Sequence, residues 1–132
     1  MSSLLTYTIL TALWVGLAWA PYILDRVAVR GLIGALGNYD PAARPQSAWA
    51  QRAMRAHRVL IESFAAFAPL AILSHILRPE DAYPGILAAT YFWAMIAHYV
   101  IYCVGIIGLR TLAFVVAWAS LMAMGLRLLG WI

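Results

Sequence analysis

Lysine is missing from this chain altogether, and charge of any sign is scarce. Of 132 residues, 9 are arginine, 5 are acidic and 11% are charged, whereas 65% are hydrophobic. A soluble domain carries about a quarter charged residues at similar apolar content. The shortage therefore argues against a soluble fold and points to a lipid-facing one. The formal charge of +4 rests on arginine alone. Its planar fork suits carboxylate or phosphate recognition better than a diffuse basic coat. These residues are not spread over a soluble face, which argues against nucleic acid as a partner. A single cysteine, Cys103, excludes an intrachain disulfide and any CxxC motif; in its apolar run a small buried hydrophobe is expected. His57, His75 and His98 share no metal-ligand spacing such as HExxH, so no metal site is expected. Gly31, Gly34 and Gly37 do not match GxGxxG, and no Ser-His-Asp, paired-carboxylate or P-loop arrangement stands out.

What remains is four hydrophobic stretches. The first, Leu4 to Leu24, is uncharged and close to the ~20 residues a membrane helix needs. Ala18-Trp19-Ala20 looks like a signal cleavage site, but no basic flank precedes it and Pro21 follows. A retained helix over about 3–35 is the better reading, with Pro21 as a kink and the glycines fraying its end. A polar stretch to Gln51 carries turn signals at Asn38–Pro41 and Arg44-Pro45. Further helices are predicted over about 53–77, 83–107 and 110–130. The whole chain then reads as a single all-α membrane domain, an antiparallel four-helix bundle. Arginine is concentrated in the first loop and Arg110 marks the third, against Arg78 and Arg127 on the other side. The positive-inside rule makes those two loops cytoplasmic and puts both termini on the opposite side.

One segment resists the apolar pattern: R-A-M-R-A-H-R-V-L-I-E-S-F, Arg52 to Phe64. Residues three and four apart share a helix face, so Arg55, Arg58 and Glu62 form one stripe with Arg52 beside it. His57 points to another side, towards a different helix. Each such charge costs ~2.5–3.5 kcal/mol at the centre of an inserted helix and less near its ends. The stripe is therefore expected to face the bundle interior or a cavity between subunits, with Glu62 paired to an arginine. For Arg44 and Arg52 the plainer reading is topology alone. His98 and Tyr102, one turn apart, are either a site or a hydrogen-bonded core pair. His75 is an interfacial or packing residue, and the six tryptophans suit interface belts.

The same segment resembles the signature of the MAPEG family, membrane-associated proteins of eicosanoid and glutathione metabolism. The family pattern runs roughly R-x-x-R-A-H-x-N-x-x-E, and Arg52, Arg55, Ala56, His57 and Glu62 match it in place. Chain length, four apolar stretches and a long first loop with Asn38 and Pro41 agree. The resemblance implies a homotrimer of four-helix protomers with glutathione bound between subunits near the cytoplasmic face. It implies a glutathione-dependent transferase or peroxidase acting on lipophilic electrophiles that arrive from the membrane lipids. Carried across by position, Arg110 would stabilise the thiolate, with Thr111 beside it. Arg30, Arg55, Arg58, Glu62, His98 and Tyr102 would hold the thiol substrate. Two residues depart from the pattern: Val59 replaces the motif asparagine, and Phe114 stands where many members have tyrosine. The alternatives are a non-catalytic membrane protein binding an anionic lipid or metabolite in the same pocket, and a polar cluster that only holds a trimer together.

Overall fold

A computed structural model describes residues 1–132 as five helices and no strand. They are α1 (Ser3–Leu17), α2 (Ala20–Leu36), α3 (Ala48–Leu77), α4 (Tyr83–Val104) and α5 (Leu109–Leu128). By length and hydropathy they make four candidate membrane spans, α1 and α2 together forming the first. Three contacts fix the topology. Ser3 lies against Gly85 at the start of α4, Arg52 near the start of α3 lies against Gly105 just past the end of α4, and Arg127 near the end of α5 reaches Asp81. The spans therefore alternate in direction, with the first and third loops together at the arginine-rich end.

The first span is broken, and the break is held by other helices. Pro21 has no N–H to offer, so the backbone ladder cannot continue through it. The chain turns at Ala18-Trp19, and two carbonyls at the break find side-chain partners. His57 Nε2 donates to the Val15 carbonyl at 2.9 Å, and Tyr99 Oη donates to the Ala18 carbonyl at 2.7 Å. The His57 ring then carries its proton on Nε2, which leaves Nδ1 to accept from Tyr22 Oη at 2.8 Å. In hydrocarbon every backbone group must be paired within the protein. His57 and Tyr99 meet that demand where the helix does not.

The interior is packed with small residues. Ala53, Ala56 and Ala71 of α3, Ala88 of α4 and Ala117 of α5 are essentially fully buried. Small side chains let membrane helices approach closely, since burial from water is no driving force there. Between them Phe67 stacks on Tyr91 at 4.0 Å, and the Tyr91 hydroxyl donates to Ser63 Oγ at 2.8 Å. Large apolar side chains such as Leu13, Ile72, Trp93 and Val115 point outward, as a lipid solvent permits.

The helix bounds differ from the sequence reading in instructive ways. α3 begins at Ala48, five residues earlier than expected, because Asp25 organises its entry. The buried Asp25 carboxylate accepts from Ser47 N at 3.1 Å and Gln46 Nε2 at 3.3 Å, and Gln46 Nε2 also donates to the Tyr22 carbonyl. α4 stops at Val104 rather than 107 because Gly105 takes φ +89°, the left-handed helix stop. Its N–H bonds back to the Ile101 carbonyl, and Arg52 Nε caps the same end on the Cys103 carbonyl at 3.0 Å. Gly31, at φ 73°, kinks α2 near its end.

Candidate functional site

At 1.5 Å per residue, the 30 residues of α3 run about 45 Å, against a hydrocarbon thickness of ~30 Å. If Leu77 marks one edge of the hydrocarbon, the other falls about 20 residues earlier, near Arg58. Arg52 and Arg55 then stand in the headgroup region or water, and Glu62 lies about one turn inside the hydrocarbon.

Arg55, Arg58 and Glu62 are all exposed on the surface of the chain. They do not face the bundle interior. That side of α3 belongs to Ala53, Ala56, His57 and Leu60. Glu62 has no arginine partner either, because the one ion pair in the chain joins Arg127 to Asp81. Arg55 and Arg58 instead line a hollow of about 210 Å³ with Gln51 and Met54. The same Gln51 and Met54 border a second hollow, of about 280 Å³, that reaches Arg30, Tyr39 and Asp40. Arg30 is tied down there, its Nε donating to the Arg44 carbonyl at 2.8 Å. Three of the predicted arginines are thus brought to adjoining concavities. Gln51 and Met54 were not singled out from the sequence, although each lies four residues before a stripe arginine on the same helix face.

The other predicted residues meet elsewhere. His98, Tyr102, Arg110 and Thr111 line a cavity of about 230 Å³ whose remaining wall is Val59 and Phe114. The two departures from the family pattern therefore share one cavity with the residue expected to activate the thiol. The Arg110 guanidinium carbon lies 4.5 Å from the centre of the Tyr102 ring, a cation–π contact that fixes its direction. His98 packs edge-on against Tyr102 at 5.6 Å and obliquely against Phe114 at 5.9 Å. His98 and Tyr102 make no hydrogen bond to each other; the contact is aromatic. His98 is 4% exposed, and its Nδ1 is buried with no hydrogen-bond partner. A buried polar atom without a partner costs ~1–3 kcal/mol, so the ring has unspent hydrogen-bonding capacity at the cavity.

The position of Arg110 is electrostatically odd for a lone cation. It is the second residue of α5, whose N-cap Gly108 supplies no side-chain hydrogen bond. The N-terminal end of a helix carries free N–H groups and a partial positive charge. A guanidinium there adds like charge to like. Together they make a place that favours an anion. The first turn of α5 therefore brings Arg110 and Thr111 to a cavity walled by Tyr102, His98 and two apolar side chains.

Within the single chain the arginine hollows and the Arg110 cavity are separate, with Arg58 in the first set and its neighbour Val59 in the second. A family model described as the MAPEG family matches residues 3–130. Neither the curated proteins nor the solved structures give a match.

Proposed function

The chain belongs to the MAPEG family of membrane proteins, whose members are glutathione-dependent transferases and peroxidases or related proteins, and on that premise we infer that it binds glutathione and uses the thiol against lipophilic electrophiles or peroxides. The observation that carries this reading is Arg110 at the uncapped start of α5, held over Tyr102 beside a cavity. A thiol has a pKa near ~8.5, and a neighbouring cation lowers it. Each unit of lowering corresponds to ~1.4 kcal/mol of preference for the thiolate. Arg110 and the α5 helix end would supply that preference together. Thr111 would donate a hydrogen bond to the sulfur, and His98 and Tyr102 would position it.

Glutathione carries two carboxylates, which suit the guanidinium forks of Arg30, Arg55 and Arg58. The reading puts these arginines and the Arg110 cavity around one ligand by joining two protomers, as in a homotrimer. Glu62 supports a covered face. It is exposed in a single chain, and a lipid-facing carboxylate inside the hydrocarbon would cost a few kcal/mol. A second copy over this face would give Glu62 a polar setting and close the hollows beside it. The arginine-rich end would lie on the cytoplasmic side, and the lipophilic substrate would enter laterally from the bilayer.

A second reading is favoured by Val59 and Phe114 in the cavity wall. With two hydrogen-bonding groups of the family pattern replaced by apolar ones, the pocket could hold an anionic lipid or metabolite without catalysis. Titration calorimetry of the detergent-purified protein with glutathione separates the two. Binding, a thiolate absorbance lost in Arg110→Ala, and conjugation of chlorodinitrobenzene lost in the same variant support the enzyme. Absence of heat at millimolar glutathione would sink it. Binding without turnover favours the non-catalytic reading.

A further inference from the structure

We infer that Gln46 is a positioning residue of the proposed thiol site: through the strap Arg44-Pro45-Gln46 it fixes Arg30 on α2 against the arginines of α3. The inference rests on the reading of the arginine hollows given above. Apolar packing holds the helix of Arg30 poorly. Asp25 is the one buried residue of α2, while Leu24, Leu32, Ile33 and Leu36 are exposed. In lipid, burial from water supplies no drive towards the bundle. The break at Ala18-Trp19 also separates α2 from α1. Hydrogen bonds do the holding instead.

Tyr22 pins the start of α2 to α3, its hydroxyl donating to His57 Nδ1 at 2.8 Å. Gln46 ties the next turn. It is buried, and its Nε2 donates to the Tyr22 carbonyl at 2.7 Å and to Asp25 Oδ2 at 3.3 Å. Two acceptors on that side fix the orientation of the amide, so Oε1 is left to accept from Arg26 Nε at 3.4 Å. Two residues earlier the Arg44 carbonyl accepts from Arg30 Nε at 2.8 Å. Pro45 between them has a fixed φ and disfavours the helical region for Arg44, so the anchor at Gln46 is passed stiffly to Arg44. Spacings of three and four put Tyr22, Asp25, Arg26 and Arg30 on one face of α2, and the strap runs along it. Towards α3, Gln51 Nε2 donates to the Gln46 carbonyl at 2.9 Å, and Gln51 borders both arginine hollows. Gln46 is thus bonded both to the helix of Arg30 and to the helix of Arg55 and Arg58. The lever it controls is long. From Tyr22 to Arg30 the helix rises ~12 Å, so a tilt of about 10° at the Tyr22 pin carries Arg30 about 2 Å. Binding groups must be held within about 0.5 Å of their working place.

A double-mutant cycle on glutathione affinity, read by calorimetry of the detergent-purified protein, tests this. Gln46→Met keeps the length of the side chain and removes its amide; it should weaken glutathione binding about tenfold. Arg30→Met should weaken it at least as much. The double variant should be no weaker than Arg30→Met alone, because Gln46 acts through Arg30. With chlorodinitrobenzene, Gln46→Met should raise the KM for glutathione far more than it lowers kcat. Thiolate absorbance per bound glutathione should keep the wild-type value, since Arg110 lies in the separate cavity. Deuterium exchange without glutathione should quicken over residues 38–47 and α2 and stay unchanged in α4 and α5. Should Gln46→Met not fold, Gln46→Glu repeats the cycle at neutral pH, keeping the size and the Arg26 contact but not the N–H donors. Losses that multiply in the double variant, or unchanged exchange over α2, overturn the inference and leave the thiol reading standing. Absence of glutathione binding by the wild type overturns that reading and this inference with it.

Discussion

Tyr99→Phe isolates the clamp on the broken first span, because it removes one oxygen and leaves the ring. Tyr99 is 5% exposed and its hydroxyl donates to the Ala18 carbonyl at 2.7 Å; Ala18 is wholly buried, and no backbone N–H reaches that carbonyl. Without the hydroxyl the carbonyl has no partner and no water. A buried acceptor left in that state costs ~1–3 kcal/mol. The phenyl ring should keep its edge-on contact with Trp14 at 5.0 Å, so no cavity term adds to the loss. Unfolding in mixed detergent–SDS micelles, followed by tryptophan fluorescence, gives the difference directly. Tyr7→Phe is the control, since Tyr7 packs on Phe92 at 5.8 Å and its hydroxyl makes no bond; its cost should stay within ~0.5 kcal/mol. If Tyr99→Phe is as mild as Tyr7→Phe, the clamp is not what holds the break, and the account of the first span is wrong.

Three further outcomes follow from the site and the loops. The Val59→Asn/Phe114→Tyr double variant should bind glutathione about a hundredfold or more tighter by calorimetry, because each hydrogen bond to a charged ligand is worth ~1.5–3 kcal/mol; unchanged affinity would remove glutathione from that cavity. Gly105→Ala should cost ~1–2 kcal/mol for its left-handed backbone and also press on the Arg52 guanidinium, 3.3 Å from the new Cβ, so an unfolding midpoint equal to the wild type's would refute the helix stop. Asp81 has its carboxyl held below the ordinary value of 3.8, first by the hydrogen bond from Arg127 and then by the Tyr83 N–H. The folded pKa being the lower one, this contribution is complete above about pH 4 and disappears as pH falls through the folded value. The stability gap between wild type and Asp81→Asn should therefore be flat near neutrality and shrink in acid; a gap that widens in acid would reverse the sign.

The four spans were legible because long uncharged runs have few other physical meanings. The break at Ala18-Trp19 was only half legible. Pro21 announced that the ladder must fail, but not that it would fail two residues earlier or that His57 and Tyr99 would repair it. Those partners lie 42 and 81 residues away, and no local pattern encodes such a distance. The start of α3 was missed for a similar reason, since Asp25 reaches Ser47 only once the first loop has folded back. At the site, spacing correctly grouped Arg55 with Arg58 and His98 with Tyr102. It could not say that one chain divides these pairs between separate hollows, because helix periodicity fixes a face but not the neighbour. The Arg52 partner, a carbonyl of Cys103, was likewise invisible in side-chain chemistry.

The excess length of α3 makes bilayer thickness a control on Glu62. A membrane thinner by one helical turn would lift this carboxylate to the headgroups, while a thicker one would sink it and draw Arg55 and Arg58 inwards. Hydrophobic mismatch costs only a fraction of a kcal/mol per ångström, so ordinary differences in acyl length can set how wet this end of the helix is. The same polypeptide placed in short-chain and long-chain bilayers would then differ in the hydration of its arginine hollows, with no change in sequence.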